Sequence, residues 1–398
     1  MQTFSKPFTQ QEAISEAAIA RAVEVMRSGR LHRYNTIEGE EAEAALLEKE
    51  FATYMGVPYC LACASGGYAL HIALKAIGVG QGDGVLCNGF TLSPVPGAID
   101  NAGGRPILVE VDDNLKLDLA DLEAKAESSG ARFLMLSHMR GHISDMEGVM
   151  DVCTTRGITV VEDCAHTLGA KWKGRSSGTF GKVACFSAQT YKHLNSGEGG
   201  LLITNDEEIM ARTIIYSGSY MHYGRHLAAP SAAAFEDVRL DTPNYSGRMD
   251  NLRAAILREQ LKELEANCQR WNQRYGILEQ GLCKIPGIRL PERPQHEEYV
   301  GSSIQFSLAG ASKETILAFI DECARRGVEV KWFGADEPVA FTSRFDSWRY
   351  IDLPVDLPNT RRVLAGLCDL RVPLTFDEDD CRQVAAVITE ALNQVGPK

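Results

Sequence analysis

Between residues 59 and 204, short apolar runs alternate with segments of helical periodicity, and this limits the fold more than any other feature of the chain. Residues 59–64, 85–87, 106–111, 133–136 and 159–161 read as buried strands, and 183–187 and 200–204 add two more. Residues 67–77, 94–101, 119–126 and 145–155 carry apolar side chains at helical spacing. Strands alternating with helices predict an α/β fold around a central, mostly parallel sheet. In such sheets, ligands sit outside the carboxyl ends of the strands.

The pattern stops over residues 219–246, which hold Pro230, Pro243, small residues and several aromatics. An irregular stretch of that length reads as a lid or a partly disordered loop. Periodicity resumes as a long helix over 250–280, carrying Leu252, Ala255, Ile256, Leu261, Leu264 and Trp271. Beyond Pro286 a smaller α+β pattern follows, with strands at 302–308 and 328–332 and helices at 313–326 and 378–392. The expectation is a large α/β domain over 1–249, opening with a helical segment, then a linking helix and a small α+β domain over 250–398. A length of 398 residues accommodates that division.

Charge and cysteine content narrow the setting. The net charge of −12 argues against a nucleic-acid binder and against docking on anionic membranes. No apolar run is long enough to span a bilayer, and the amino terminus lacks a secretory pattern. The 11 cysteines are odd in number and scattered, which suits buried free thiols in a reducing cytoplasm. Cys60 and Cys63 form a lone CxxC inside a strand-like run, with no second pair for a zinc ribbon, so core packing is the expectation.

Three fragments carry chemistry. In Ala64-Ser-Gly-Gly-Tyr-Ala-Leu-His71 a strand passes directly into a helix, so the free N–H groups of the helix start form an anion site. Alone, the fragment is equally a tight turn with no ligand. In Val160-Val-Glu-Asp-Cys-Ala-His166 a strand ends on two carboxylates with a histidine close behind; a helix cap or surface acid is the plain alternative. In the run from Phe186 to Gly200, Lys192 follows the strand end Ser187 and precedes a glycine-rich turn. Burial there would lower the amine's pKa and make it a nucleophile toward a carbonyl; an exposed loop lysine is the alternative. A phosphate site, an acid for a ring nitrogen and a nucleophilic lysine are together what pyridoxal phosphate (PLP) requires of a protein.

The chain resembles the DegT/StrS family of PLP-dependent sugar aminotransferases over nearly its whole length. The resemblance is most specific at Glu162–Ala170 and Ser187–Gly200, and it extends through 78–83, His138-Met-Arg-Gly141 with Asp145-Met146, and 244–261. It implies a fold-type I PLP-dependent transferase: a three-layer αβα large domain plus a small α+β carboxyl-terminal domain. It implies Lys192 as the catalytic, Schiff-base lysine, Asp163 as the partner of the pyridine nitrogen and His166 beside the ring's phenolic oxygen. Ser187, with the backbone around Gly66, Gly67 and Tyr68, fits the phosphate cradle, and Leu92 packs on the ring. Asn244 fits the asparagine that reaches a neighbouring subunit's phosphate, since family sites lie at a homodimer interface; Ser246 is the substitute. Cys164 and Cys185 are expected beneath the cofactor as reduced thiols.

The chain departs from the family where Gly67 replaces the usual threonine and Leu92 the usual aromatic, and the Asn244–Arg248 spacing is longer than usual. Arg140 and His142 flank Gly141 and are candidates for binding an anionic substrate group, with a structural ion pair as the alternative for Arg140. His138 and His142 have H-x3-H spacing, but Gly141 breaks a helical metal site, so no metal is expected. Tyr216, Tyr220, His222, Tyr223, Arg225 and His226 either line the substrate pocket or form a solvated loop. The expected reaction moves an amino group from glutamate or glutamine to a keto sugar or related cyclic ketone. A PLP-dependent sugar dehydration and a silent binding protein on the same fold are the rivals. A nicotinamide dehydrogenase is disfavoured because no GxGxxG follows the first strand.

Overall fold

The computed structural model describes residues 2–351 and 355–395. Its main sheet has seven strands, in the order Tyr59–Cys63, Gly200–Thr204, Val183–Ser187, Thr159–Asp163, Phe133–Ser137, Gly84–Asn88 and Arg105–Val109. Every strand runs parallel to its neighbours except Gly200–Thr204, which is antiparallel to both strands beside it. The inner strands are apolar through their middle residues because helices cover both faces, and polar residues such as Asn88, Ser137, Glu162, Asp163 and Ser187 stand at their carboxyl ends. Leu61, Val85, Val161 and Leu202 pack with the helices Gly66–Ala76, Pro94–Asn101 and Glu207–Ser217. Cys60, Leu86, Val160 and Leu201 pack with Glu43–Met55, Leu119–Ser129, Met146–Thr155 and Asn251–Leu282 on the other face. These are the three expected αβα layers.

Local signals set the element ends. Ser65, Asp118, Asp145, Asp206 and Asp250 each cap the helix that follows them by accepting a backbone N–H. Gly29, Gly56, Gly130 and Gly218 end helices in the left-handed conformation. The long helix spans 32 residues, Asn251–Leu282, or about 48 Å at ~1.5 Å per residue. Arg258 on this helix ties down the amino-terminal helix Glu43–Met55 through Glu43 (2.7 Å) and Glu50 (2.5 Å).

The carboxyl-terminal part holds a four-stranded antiparallel sheet, ordered Ile288–Arg289, Ser303–Leu308, Leu367–Arg371 and Lys331–Trp332. The helices Lys313–Arg325 and Glu378–Val395 pack on it. Phe4 and Phe8 join this core, each ring edge-on to Phe376 at 4.9 Å. Phe333, Phe345 and Trp348 instead pack into one core of the main sheet. The strand expected at 328–332 is confined to Lys331–Trp332, and Leu367–Arg371, a pairing partner lacking clean alternation, was not foreseen.

Cys60 and Cys63 sit in one strand but face opposite sides of the sheet, in separate cores. All 11 cysteines are free, and only Cys283 is exposed. Among the described residues, no helix is long and apolar enough to cross a membrane.

The 219–246 segment contains two short helical stretches, Tyr223–Arg225 and Ala233–Glu236, joined by Phe235 stacked on Tyr223 at 4.1 Å. Its His226 is buried against Glu48 (2.9 Å) and Tyr34 (2.7 Å). Glu48 in turn holds the fully buried Arg33 at 2.7 Å and accepts the Ala62 N–H at 2.9 Å. This ion cluster ties the helix Glu43–Met55, the first strand and the 219–246 segment together. Removing the carboxylate strands a buried guanidinium. Glu48→Ala should therefore lower the free energy of unfolding by about 3–5 kcal/mol, read from denaturant titration.

Candidate active site

The strand ends converge on a cavity of about 470 Å³. Of the residues singled out from the sequence, Gly66, Gly67, Leu92, Arg140, Asp163, His166, Ser187 and Lys192 line it. Tyr68, His142 and Asn244 are not among its lining residues.

One end of the cavity is a cradle for an anion. The Ser65 hydroxyl takes the Tyr68 N–H at 3.1 Å, so the helix-start N–H groups of Gly66 and Gly67 are left for a ligand. A Cβ on Gly66 would lie 2.8 Å from the Ser187 Cβ, so only glycine lets the helix start meet the strand end. At Gly67 the nearest atom to an added Cβ is 3.8 Å away. Nothing around Gly67 therefore excludes the threonine hydroxyl usual in the resembled family. The Tyr68 side chain turns away and donates to the Tyr216 carbonyl at 2.7 Å.

The acid at the centre is held by a relay. Asp163 accepts from the Ser137 hydroxyl at 2.9 Å and from the Ala165 N–H at 3.1 Å. The Thr91 hydroxyl donates to Ser137 Oγ at 2.9 Å, and Asn88 holds the Ser137 backbone through both its side-chain oxygen and nitrogen. Thr91 and Ser137 were not legible as site residues, because a hydroxyl at a strand end has no sequence signature.

Lys192 and His166 are in direct contact. His166 Nδ1 accepts the Arg140 N–H at 3.1 Å, so in the neutral ring the proton sits on Nε2. Nε2 contacts Lys192 Nζ directly. Burial, and then the positive charge of Lys192, push the His166 pKa well below its usual value. Burial, followed by the nearby Arg140, pushes the Lys192 amine down to about 7. With Nε2 protonated, the neutral ring can donate to the lone pair of the unprotonated amine, and the lowered pKa gives that form a large share near pH 7.

The opposite end is cationic and aromatic. Arg140 has a left-handed backbone (φ 54°) and pairs with buried Asp369 at 2.9 Å. Arg371, Tyr191 and Phe341 line the same end and were missed: Phe341 and Arg371 come from distant stretches of chain, and Tyr191, though next to Lys192, carries no signal of its own. His142 is buried behind this wall, bonded to Gln305 at 2.9 Å. His138, Glu162 and Cys164 cluster closely enough for a metal. Glu162, however, is taken up by the N–H groups of Gly178, Phe180 and Gly181. Asn244 is exposed and accepts the Ser246 N–H at 2.9 Å. None of Tyr216, Tyr220, His222, Tyr223, Arg225 and His226 lines the cavity.

The DegT/DnrJ/EryC1/StrS aminotransferase family model matches residues 12–389. The chain belongs to this family. It is 33% identical over 239 residues to GDP-perosamine synthase of Caulobacter vibrioides, covering 60% of this chain and 61% of that protein. It is 34% identical over 243 residues to L-glutamine:2-deoxy-scyllo-inosose aminotransferase of Streptoalloteichus tenebrarius, covering 61% of this chain and 57% of that one. The matches thus span about three-fifths of these relatives' lengths. The fold is that of an aminotransferase from Psychrobacter cryohalolentis, with a TM-score of 0.85 at 22% identity, covering 98% of this chain and 100% of that one.

The lowered amine pKa has a direct consequence. An ordinary lysine becomes neutral near pH 10.5, whereas Lys192 does so near pH 7. In the cofactor-free protein, an amine-acylating reagent should modify one lysine at a rate that rises through pH 7. Peptide mapping should place that label on Lys192, and Lys192→Arg should abolish the low-pH rise.

Proposed function

We propose that this protein is a PLP-dependent aminotransferase that passes an amino group from glutamate or glutamine to a keto sugar or related cyclic ketone. The placing of a buried Lys192 amine, its pKa pushed down to about 7, and the Asp163 carboxyl in one cavity with an anion cradle carries this reading. The relatives' names, a perosamine synthase and a glutamine-dependent cyclitol aminotransferase, support the substrate classes.

The residues fit the cofactor. The N–H groups of Gly66 and Gly67, with the Ser187 hydroxyl, would hold its phosphate, and Asp163 would pair with its ring nitrogen. Leu92 would pack against its ring, and His166 would lie beside its phenolic oxygen. When bound, PLP supplies an aldehyde for a primary amine and a ring that takes up the electron pair released at the donor's α-carbon. Asp163 keeps a positive charge on the ring nitrogen favourable, and the hydroxyl relay from Thr91 and Ser137 keeps this carboxylate aimed into the cavity. Lys192 would hold the cofactor, and its amine would serve as the base for the donor's α-proton. His166 accepts the Arg140 N–H at one nitrogen and orients Lys192 with the other.

A homodimer in the cytoplasm, with Asn244 reaching the neighbouring subunit's phosphate, belongs to the same proposal. The support for association is the exposure of the large apolar side chains Ile37, Met221, Leu240 and Tyr245, the last three in the 219–246 segment. Sedimentation should return twice the 43.6 kDa chain mass.

With PLP, the protein should turn yellow, and glutamate or glutamine should bleach that band in a single half-reaction. Lys192→Ala should abolish turnover. Asp163→Asn should keep the fold but slow the half-reaction on the order of 10²-fold or more. Cofactor uptake without any donor half-reaction would instead identify a silent binding protein.

A further inference from the structure

The cation-rich end of the cavity is not accounted for by the cofactor. Arg371 closes the strand Leu367–Arg371, and its guanidinium lies 3.6 Å from the centre of the Tyr191 ring. Stacking holds a guanidinium flat while its N–H edge stays free for a planar acid. Among the described residues, no carboxylate lies within ion-pair distance of Arg371 and no acceptor takes a hydrogen bond from its side chain. Arg140 stands beside it: the Phe341 ring is 4.5 Å from the Arg140 guanidinium and 5.9 Å from that of Arg371. The Arg140 side chain is only 10% exposed, its charge is matched by Asp369, and its Nε has no partner. Two guanidinium groups thus lie near one aromatic ring, and of the two only Arg140 is paired with a carboxylate.

The position of this pair matters. Arg140 and Arg371 also line a recess with His166, Tyr191, Lys192, Ser302 and Ser303, to which Gly66, Gly67 and Ser187 do not contribute. The surplus charge therefore lies beyond the reactive amine, at the end away from the phosphate cradle. An amino acid donor can satisfy it with a carboxylate in one half-reaction. In the other half-reaction, a neutral ketone would leave the Arg371 guanidinium dehydrated and unpaired, which is costly.

We propose that Arg371, backed by Arg140, binds a carboxylate on the amino acceptor, so that the acceptor is a ketone of a sugar acid or ring carboxylic acid. This rests on the aminotransferase reading above and names the substrate class of the same site. The class of reaction that must supply such a substrate is oxidation of a ring hydroxyl to a ketone on an already acidic ring.

The test runs the second half-reaction backwards on the PLP-loaded protein. Amino-hexuronic acids are compared with the matching amino-hexoses, the amine being at ring carbon three or four, and loss of the yellow band is followed. The acid should exceed its neutral partner in kcat/KM by about 10- to 100-fold, the worth of one charge-assisted pair. Arg371→Met should erase that ratio and Arg371→Lys should restore part of it, with melting temperature confirming that both variants fold. Calorimetry should show D-glucuronate binding the loaded protein more tightly than D-glucose, with the difference lost in Arg371→Met. Several results overturn the proposal while leaving the aminotransferase reading intact: a neutral preference, a ratio that survives Arg371→Met, equal binding of the two sugars, or no reaction of any ring amine in a protein that glutamate bleaches. Failure to take up PLP, or to respond to any donor, would overturn the aminotransferase reading itself.

Discussion

Two consecutive carboxylates at one strand end hold the site together. Successive side chains on a strand point to opposite faces, so Glu162 and Asp163 have opposite duties. Glu162 is fully buried and gathers the N–H groups of Gly178, Phe180 and Gly181, with His138 at 3.2 Å. That anchors the turn leading into Val183–Ser187 and hence the loop that carries Lys192. Asp163 faces the cavity with its relay of hydroxyls. A buried carboxylate with this many donors organises the backbone around it, and removing it would leave several N–H groups unpaired.

Given that anchor, the electrostatics of the cavity follow from burial. Lys192 loses hydration and sits among Arg140 and Arg371, so its neutral form is favoured although Asp163 pulls the other way. His166 is driven neutral by the same crowding, which makes it a donor or acceptor at fixed atoms and not a competing charge. The protein thus lowers the amine's pKa with burial and with a cation that has structural work elsewhere: Arg140 holds Asp369 and completes the turn against His166.

Much of this was readable from the residues. The alternation of apolar runs located all seven strands of the main sheet to within a few residues, because a strand covered on both faces must be continuously apolar. The strand-end fragments at 64–71, 160–166 and 186–200 converge because parallel strands bring their carboxyl ends to one edge. The gaps have physical causes as well. Leu367–Arg371 mixes polar and apolar residues and becomes a strand through pairing with Ser303–Leu308. His226 read as a candidate for the pocket, yet its position is decided by Glu48 and Tyr34, residues some 180 positions away.

The sequence alone determined the layered α/β architecture through local pattern, and it singled out the glycine turn, Lys192, Asp163 and His166 as candidates whose roles came from the family resemblance and not from spacing. The tertiary structure alone decided which polar groups those residues meet. It put Ser137 and Thr91 behind Asp163, turned Tyr68 and His142 away from the cavity, and set Arg371 against Tyr191 opposite Arg140. These partners come from segments between 26 and more than a hundred residues apart, and no periodicity in a chain encodes which of them packing will bring together.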